Sequence, residues 1–161
     1  LRSDEYFVDE EGRFSSRMAY GTIMHRIFSG IVNEPDLEPL LLGMQRKGLI
    51  PERERMELQE GISAIIAQPG IRNWFVEEGG RRIYNERSIL CGEGKVIRPD
   101  RVIVDQDGIT VVDFKFGLEE RPGYRKQVQE YVQKLRSMGH AGVEGFLWYV
   151  LLGKTIKVTG P

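Results

Sequence analysis

Apolar positions along the chain keep two different periods, and the change between them divides it. Over residues 15–66 they recur every three to four residues, the spacing of a helix face. Ser15 and Ser16 can cap a helix running to about Gly30, whose approximate apolar stripe is Met18, Ile23, Ile27, Phe28 and Ile31, with His25 among them. Pro35 and Pro39 break the chain, and Leu40, Leu41 and Met44 suggest a short helix closed by Gly48. Pro51 opens another, in which Leu58, Ile62, Ile65 and Ile66 take the i, i+4, i+7 and i+8 places before Pro69-Gly70 ends it. Residues 71–76 are ambiguous, with room for one helical turn.

From Arg82 to Lys115 the pattern turns to that of strands. The pattern predicts a strand over residues 82–90, a turn at Cys91-Gly92-Glu93-Gly94, and a hairpin built from Arg98-Pro99-Asp100-Arg101-Val102-Ile103-Val104 and Ile109-Thr110-Val111-Val112-Asp113-Phe114-Lys115 around Asp105-Gln106-Asp107-Gly108. A helix over residues 124–138 is stopped by Gly139. The nearly continuous apolar run at 146–152 reads as a buried strand, and Ile156 and Val158 offer a last short one. Helices, three strands, a helix and one or two strands predict an α/β or α+β fold: a mixed central sheet with an antiparallel meander, flanked by helices. The passage from Val111 through Tyr131 to Leu147 fits a right-handed parallel crossover.

Candidate chemistry follows from the hairpin register. With Gln106 and Asp107 at the tip, Val104 faces Ile109 and Asp100 faces Asp113; a bulge at Gly108 would leave the two acids diagonal. Like charges placed opposite each other destabilise a sheet. Lys115 projects from the face of Asp113, while Phe114 and Phe116 point to the other. Two carboxylates and an ammonium on one face suit a divalent metal and its bound water. Glu86, one strand earlier, is left open between a further acid at that metal and a surface residue paired with Arg87 or Arg82. His25 shares a helix face with Gly21, as Gln127 does with Tyr131. Arg121, Arg125, Lys126, Lys134 and Arg136 outnumber Glu119, Glu120 and Glu130 around the latter pair, an excess that suits phosphates or a solvated face.

Composition narrows the setting. The 161 residues, 40% of them hydrophobic, fit one domain, and no run is long enough to cross a bilayer. The chain has no secretory signal pattern and opens on an acidic, polar stretch. Residues 1–14 therefore read as a linker and 15–161 as a domain cut from a longer protein. The single cysteine, Cys91, excludes an internal disulfide or a four-cysteine zinc or iron–sulfur site, and fits a reducing, cytoplasmic compartment. A net charge of −1 means that nucleic acid would be met by local patches. Gly153-Lys154-Thr155 imitates the end of a phosphate loop, but Trp148 stands where the earlier glycine is required.

In chain order stand Gly21-x3-His25, Glu86, Pro99-Asp100, Asp113-Phe114-Lys115 and Gln127-x3-Tyr131. Together, over roughly residues 25–148, they resemble the PD-(D/E)xK nuclease superfamily, in particular the RecB/AddA-type nuclease domain at the C-terminus of UvrD-like helicases. The resemblance implies a restriction-endonuclease-like core and Mg²⁺-dependent hydrolysis of DNA phosphodiesters, with Mn²⁺ able to substitute. It implies DNA-end processing in recombination and repair. His25, Asp100, Asp113 and the main-chain carbonyl of Phe114 would be the metal ligands, Lys115 the catalytic lysine and Glu86 an additional acid. Gln127 and Tyr131 would line the site and contact DNA, with Arg125 and Lys126 beside them. The implied partners are DNA, preceding helicase domains of the same polypeptide and a partner subunit. Some relatives carry four cysteines around an iron–sulfur cluster, which this chain cannot hold. The alternatives are a catalytically inactive DNA-binding scaffold of the same fold and a metal-dependent hydrolase of nucleotides or other phosphoesters.

Overall fold

The computed structural model describes residues 17–158. The capping serines Ser15 and Ser16, the expected linker and the side chain of Met18 lie outside the described residues. Helices α1 (Arg17–Gly30), α2 (Leu37–Arg46) and α3 (Glu52–Ile66) come first. The core-facing stripe of α1 is Met24, Ile27, Phe28 and Ile31, with Ile23 only partly buried. Pro39 does not break the chain: it sits in the first turn of α2, where an amide hydrogen has no intrahelical partner to lose. Pro35 falls in a single 3-10 turn, Glu34–Asp36, and the ambiguous segment contains another, Arg72–Phe75.

Strands β1 (Arg82–Asn85), β4 (Arg101–Val104), β5 (Ile109–Lys115), β6 (Val143–Tyr149) and β7 (Lys154–Val158) form one sheet in the order β1-β4-β5-β6-β7. The strands β2 (Ile89–Leu90) and β3 (Val96–Ile97) pair with each other separately. All neighbours in the large sheet are antiparallel except β5 and β6, which run parallel with helix α4 (Pro122–Ser137) between them in sequence. The result is the mixed α+β architecture that the element order predicts.

Two expectations fail at their ends. The strand expected over 82–90 stops at Asn85, because Glu86 adopts φ 45°, the left-handed region that no strand can contain. The run expected as a strand over 146–152 starts earlier, at Val143, and ends at Tyr149. Val150–Leu152 is a 3-10 turn that leaves Leu151 and Leu152 exposed. An unbroken apolar run carries no period to mark such a change.

The hairpin has the expected register, with Val104 opposite Ile109 and no bulge shift. The amide of Asp105 donates to the carbonyl of Gly108 at 3.0 Å, which leaves Gln106 and Asp107 at the tip. Gly108 has φ 145°, and a Cβ there would lie 2.0 Å from the carbonyl oxygen of Gly142, so the tip and the entry to β6 meet backbone to backbone.

One sheet face packs against α1–α3 through an aromatic nest. Phe28, Phe114 and Trp148 have ring centroids 5.5–5.6 Å apart, with Phe75 5.9 Å from Phe28. The other face is covered by α4, whose Val128, Tyr131, Val132 and Leu135 are buried. Gly145 permits this approach, because a Cβ there would stand 2.7 Å from Val128 Cγ1 and from Val132 Cγ2. No described helix is long and apolar enough to cross a membrane.

The two valines are β-branched and stiff. Gly145→Ala is therefore expected to lower stability by about 1–3 kcal/mol in urea unfolding. An unchanged unfolding midpoint would contradict the close approach of α4.

Candidate metal centre

Three neighbouring strand segments, those of β1, β4 and β5, bring acids side by side. The amide of Glu86 donates to the carbonyl of Asp100 at 2.9 Å, which carries the β1–β4 pairing one step past its last ladder pair. On the other side the β4–β5 register, also carried one step further, faces Asp100 with Asp113. The carboxylate of Asp100 reaches across to β5, where its Oδ2 accepts the amide hydrogen of Phe114 at 2.7 Å. The left-handed turn at Glu86 ends the strand and turns its side chain toward α1. That turn explains why strand alternation could not settle the orientation of Glu86.

His25 projects from α1 between the two acids. Its Nε2 lies 2.9 Å from Asp100 Oδ1 and its Nδ1 3.0 Å from Glu86 Oε1. A carboxylate at each nitrogen favours the protonated ring, the form that can donate to both. Its pKa is accordingly raised, first by the bond to Asp100 and then by the charges of Asp100, Glu86 and Asp113, against the opposing effect of burial. Ligand atoms of His25, Glu86 and Asp100 all lie within 4.8 Å of one another. One imidazole nitrogen with carboxylate oxygens is a hard, oxygen-rich donor set that suits Mg²⁺ or Mn²⁺. A cation at these atoms requires the ring to release a proton. Glu86 thus joins the group, and its second oxygen, Oε2, accepts from Arg98 at 2.7 Å; neither Arg82 nor Arg87 is that partner. Arg87 instead lies over the Tyr84 ring.

Asp113 stands next to this triad without being part of it. It is only 2% exposed, and its Oδ2 makes a 2.5 Å ion pair with Lys115 Nζ. Burial lifts its pKa to about 6, with the charge of Asp100 adding to the effect and those of Lys115 and His25 opposing it. The main chain of Phe114 follows between Asp113 and Lys115, its side chain on the opposite, aromatic face as expected. Gly21 sits one turn before His25, and a Cβ there would only graze Phe116 at 3.9 Å.

Helix α4 completes the surroundings of the lysine. Gln127 Oε1 lies 3.5 Å from Lys115 Nζ, and Gln127 Nε2 donates to the Tyr131 hydroxyl at 2.9 Å. The Tyr124 ring, absent from the expected set, lies 4.4 Å from the same ammonium. Tyr124 stands three residues before Gln127, so the helical period already placed it on that face. Arg125 and Lys126 are exposed on α4. A cleft of about 920 Å³ opens over the site, lined among others by Tyr20, His25, Arg26, Lys115, Arg121 and Tyr124.

Behind the site lies a residue that the sequence reading passed over. Arg101 is completely buried, and its guanidinium donates to Asn85 Oδ1 and to the carbonyls of Trp74, Phe28 and Ile31. Burial lowers its pKa to about 9, against the opposing charge of Asp36. Its position in alternation with Ile103 was the available signal: a charge on the inward face of an apolar strand.

No protein-family model matches the chain, and no curated protein matches it significantly.

For the raised acid Asp113, ionisation costs more in the folded than in the unfolded chain. The resulting stability is fully present below the unfolded value of 3.8 and is lost as pH rises through about 6. Asp113→Asn without metal avoids that loss. Its stability advantage over the unaltered chain is expected to grow by ~1–2 kcal/mol between about pH 5 and about pH 8 in urea unfolding. An advantage independent of pH would contradict a buried, ionising carboxyl.

Proposed function

We propose that this chain is a Mg²⁺-dependent deoxyribonuclease domain that hydrolyses phosphodiester bonds, with Mn²⁺ able to substitute. The observation that carries the reading is the convergence of His25, Glu86 and Asp100 within 4.8 Å, beside the Asp113–Lys115 ion pair, with His25, Glu86 and Lys115 lining an open cleft. His25, Glu86 and Asp100 would hold the ion, with Asp113 and the Phe114 carbonyl adjoining it. When bound, it supplies a water of lowered pKa and stabilises charge on the scissile phosphate.

The remaining roles fall to the chain's own groups. Asp113 holds the Lys115 ammonium on one side, and Gln127 and Tyr124 flank it, so the cation enters the reaction already oriented. From there Lys115 positions the attacking water and meets negative charge developing on a non-bridging oxygen. Tyr131 fixes the amide of Gln127, while Arg26 and Arg121 in the cleft suit the flanking phosphates, which position a strand without reading its sequence. With a net charge of only −1, capture of DNA falls to other domains. We place the domain in cytoplasmic DNA-end processing, fed by helicase domains of the same polypeptide.

The test is incubation of end-labelled linear and closed circular DNA with the purified chain and Mg²⁺ or Mn²⁺. Metal-dependent cleavage is expected, falling roughly hundredfold or more in Lys115→Ala with the circular dichroism spectrum retained. Cleavage at the unaltered rate in that variant would overturn the assignment. Binding of DNA without turnover by the unaltered chain would support the scaffold instead.

A further inference from the structure

We propose that Arg101 and Asn85 are positioning residues that hold the three ligand-bearing segments in register, a role that rests on the metal-dependent reading above. Each ligand has a neighbour in this bracket. Asp100 directly precedes Arg101, Glu86 directly follows Asn85, and His25 lies on α1, at whose C-terminal end the carbonyls of Phe28 and Ile31 accept from Arg101. Arg101 Nε donates to Asn85 Oδ1 at 3.1 Å, and Asn85 Nδ2 donates to the carbonyl of Ile31 at 2.7 Å. Arg101 and Asn85 therefore converge on one main-chain oxygen at the end of α1. A fourth anchor, Arg101 Nη1 to the carbonyl of Trp74 at 2.6 Å, fixes the plane of the guanidinium, which stacks 4.0 Å from the Phe75 ring centroid.

Packing alone does not account for this arrangement. A buried guanidinium contributes less to stability than an apolar side chain of similar volume often does. What it adds is direction: a planar fork sets the rotation and height of α1 against β1 and β4, whereas an apolar residue lets a helix slide. A site of this kind needs its side chains held within about 0.5 Å, and His25 reaches Asp100 and Glu86 at 2.9 and 3.0 Å only if α1 keeps that height. The amide of Glu86, bonded to the carbonyl of Asp100, closes the frame between the two acids.

Calorimetric titration with Mn²⁺, paired with thermal unfolding, tests the role in the unaltered chain, Asn85→Ala, Arg101→Lys and Val143→Ala. Val143 is buried at the far end of the sheet, opposite Ile109, and serves as a destabilised control. Asn85→Ala keeps the bonds from Arg101 to main-chain carbonyls and is expected to stay folded, with the Mn²⁺ Kd raised roughly ten- to hundredfold. Arg101→Lys, which keeps a cation but loses the fork, is expected to move in the same direction. Excess Mn²⁺ is expected to restore the cleavage rate of Asn85→Ala, and Val143→Ala to lower Tm with Kd unchanged. Unaltered Mn²⁺ affinity in Asn85→Ala, or an equal loss in Val143→Ala, would overturn the positioning role while leaving the metal site standing. No Mn²⁺ binding by the unaltered chain would overturn both.

Discussion

A guanidinium among Trp74, Phe75 and Phe114 gives up its hydration and must find every hydrogen bond inside the protein. Arg101 finds them on main-chain carbonyls at the end of α1 and in the Trp74 turn, and on the amide of Asn85. The end of a helix is where carbonyls lack partners and where the helix dipole is negative, so the cation and the helix stabilise each other. Its pKa of about 9 still leaves it charged at neutral pH. Because these donors belong to one rigid group, the end of α1, the end of β1 and the start of β4 cannot shift independently.

The same segments carry the least comfortable features of the chain. Glu86 is the non-glycine residue with positive φ among those described, Asp113 is a buried acid with a raised pKa, and three carboxylates stand on neighbouring segments. Backbone strain and crowded like charge oppose stability, and such features gather where a structure is used rather than where it is merely held together. The aromatic nest on one face and the tight seat of α4 over Gly145 on the other provide the rigidity that keeps them in place.

Much of this was legible in the amino-acid sequence. The hairpin register followed from a turn tetrad between two alternating runs, and it placed Asp100 against Asp113 because side-chain period and turn length leave little freedom. Helix α4 and the parallel return into β6 were equally plain. The break at Glu86 was not, since Tyr84 to Ile89 continues in a strand-compatible pattern and nothing local announces a left-handed residue. The side-by-side placing of Asp113 and Lys115 follows from strand alternation, but the pairing of Glu86 with Arg98 crosses the unforeseen turn, and the clustering of His25 with Glu86 and Asp100 joins residues far apart in sequence, which no local period records. Arg101 was overlooked because a charge within a strand reads as solvated until the opposite face is known to be covered.

The assembly of the pocket is also ordered along the chain. His25 comes from the first described helix, Glu86 and Asp100 from the middle, and Gln127 and Tyr131 from the last. No contiguous piece shorter than the span from α1 to α4 contains all of them. A piece of the chain that ends before Asp100 lacks one corner of the His25–Glu86–Asp100 cluster, and one that ends before α4 leaves Lys115 without its Gln127 and Tyr124 neighbours.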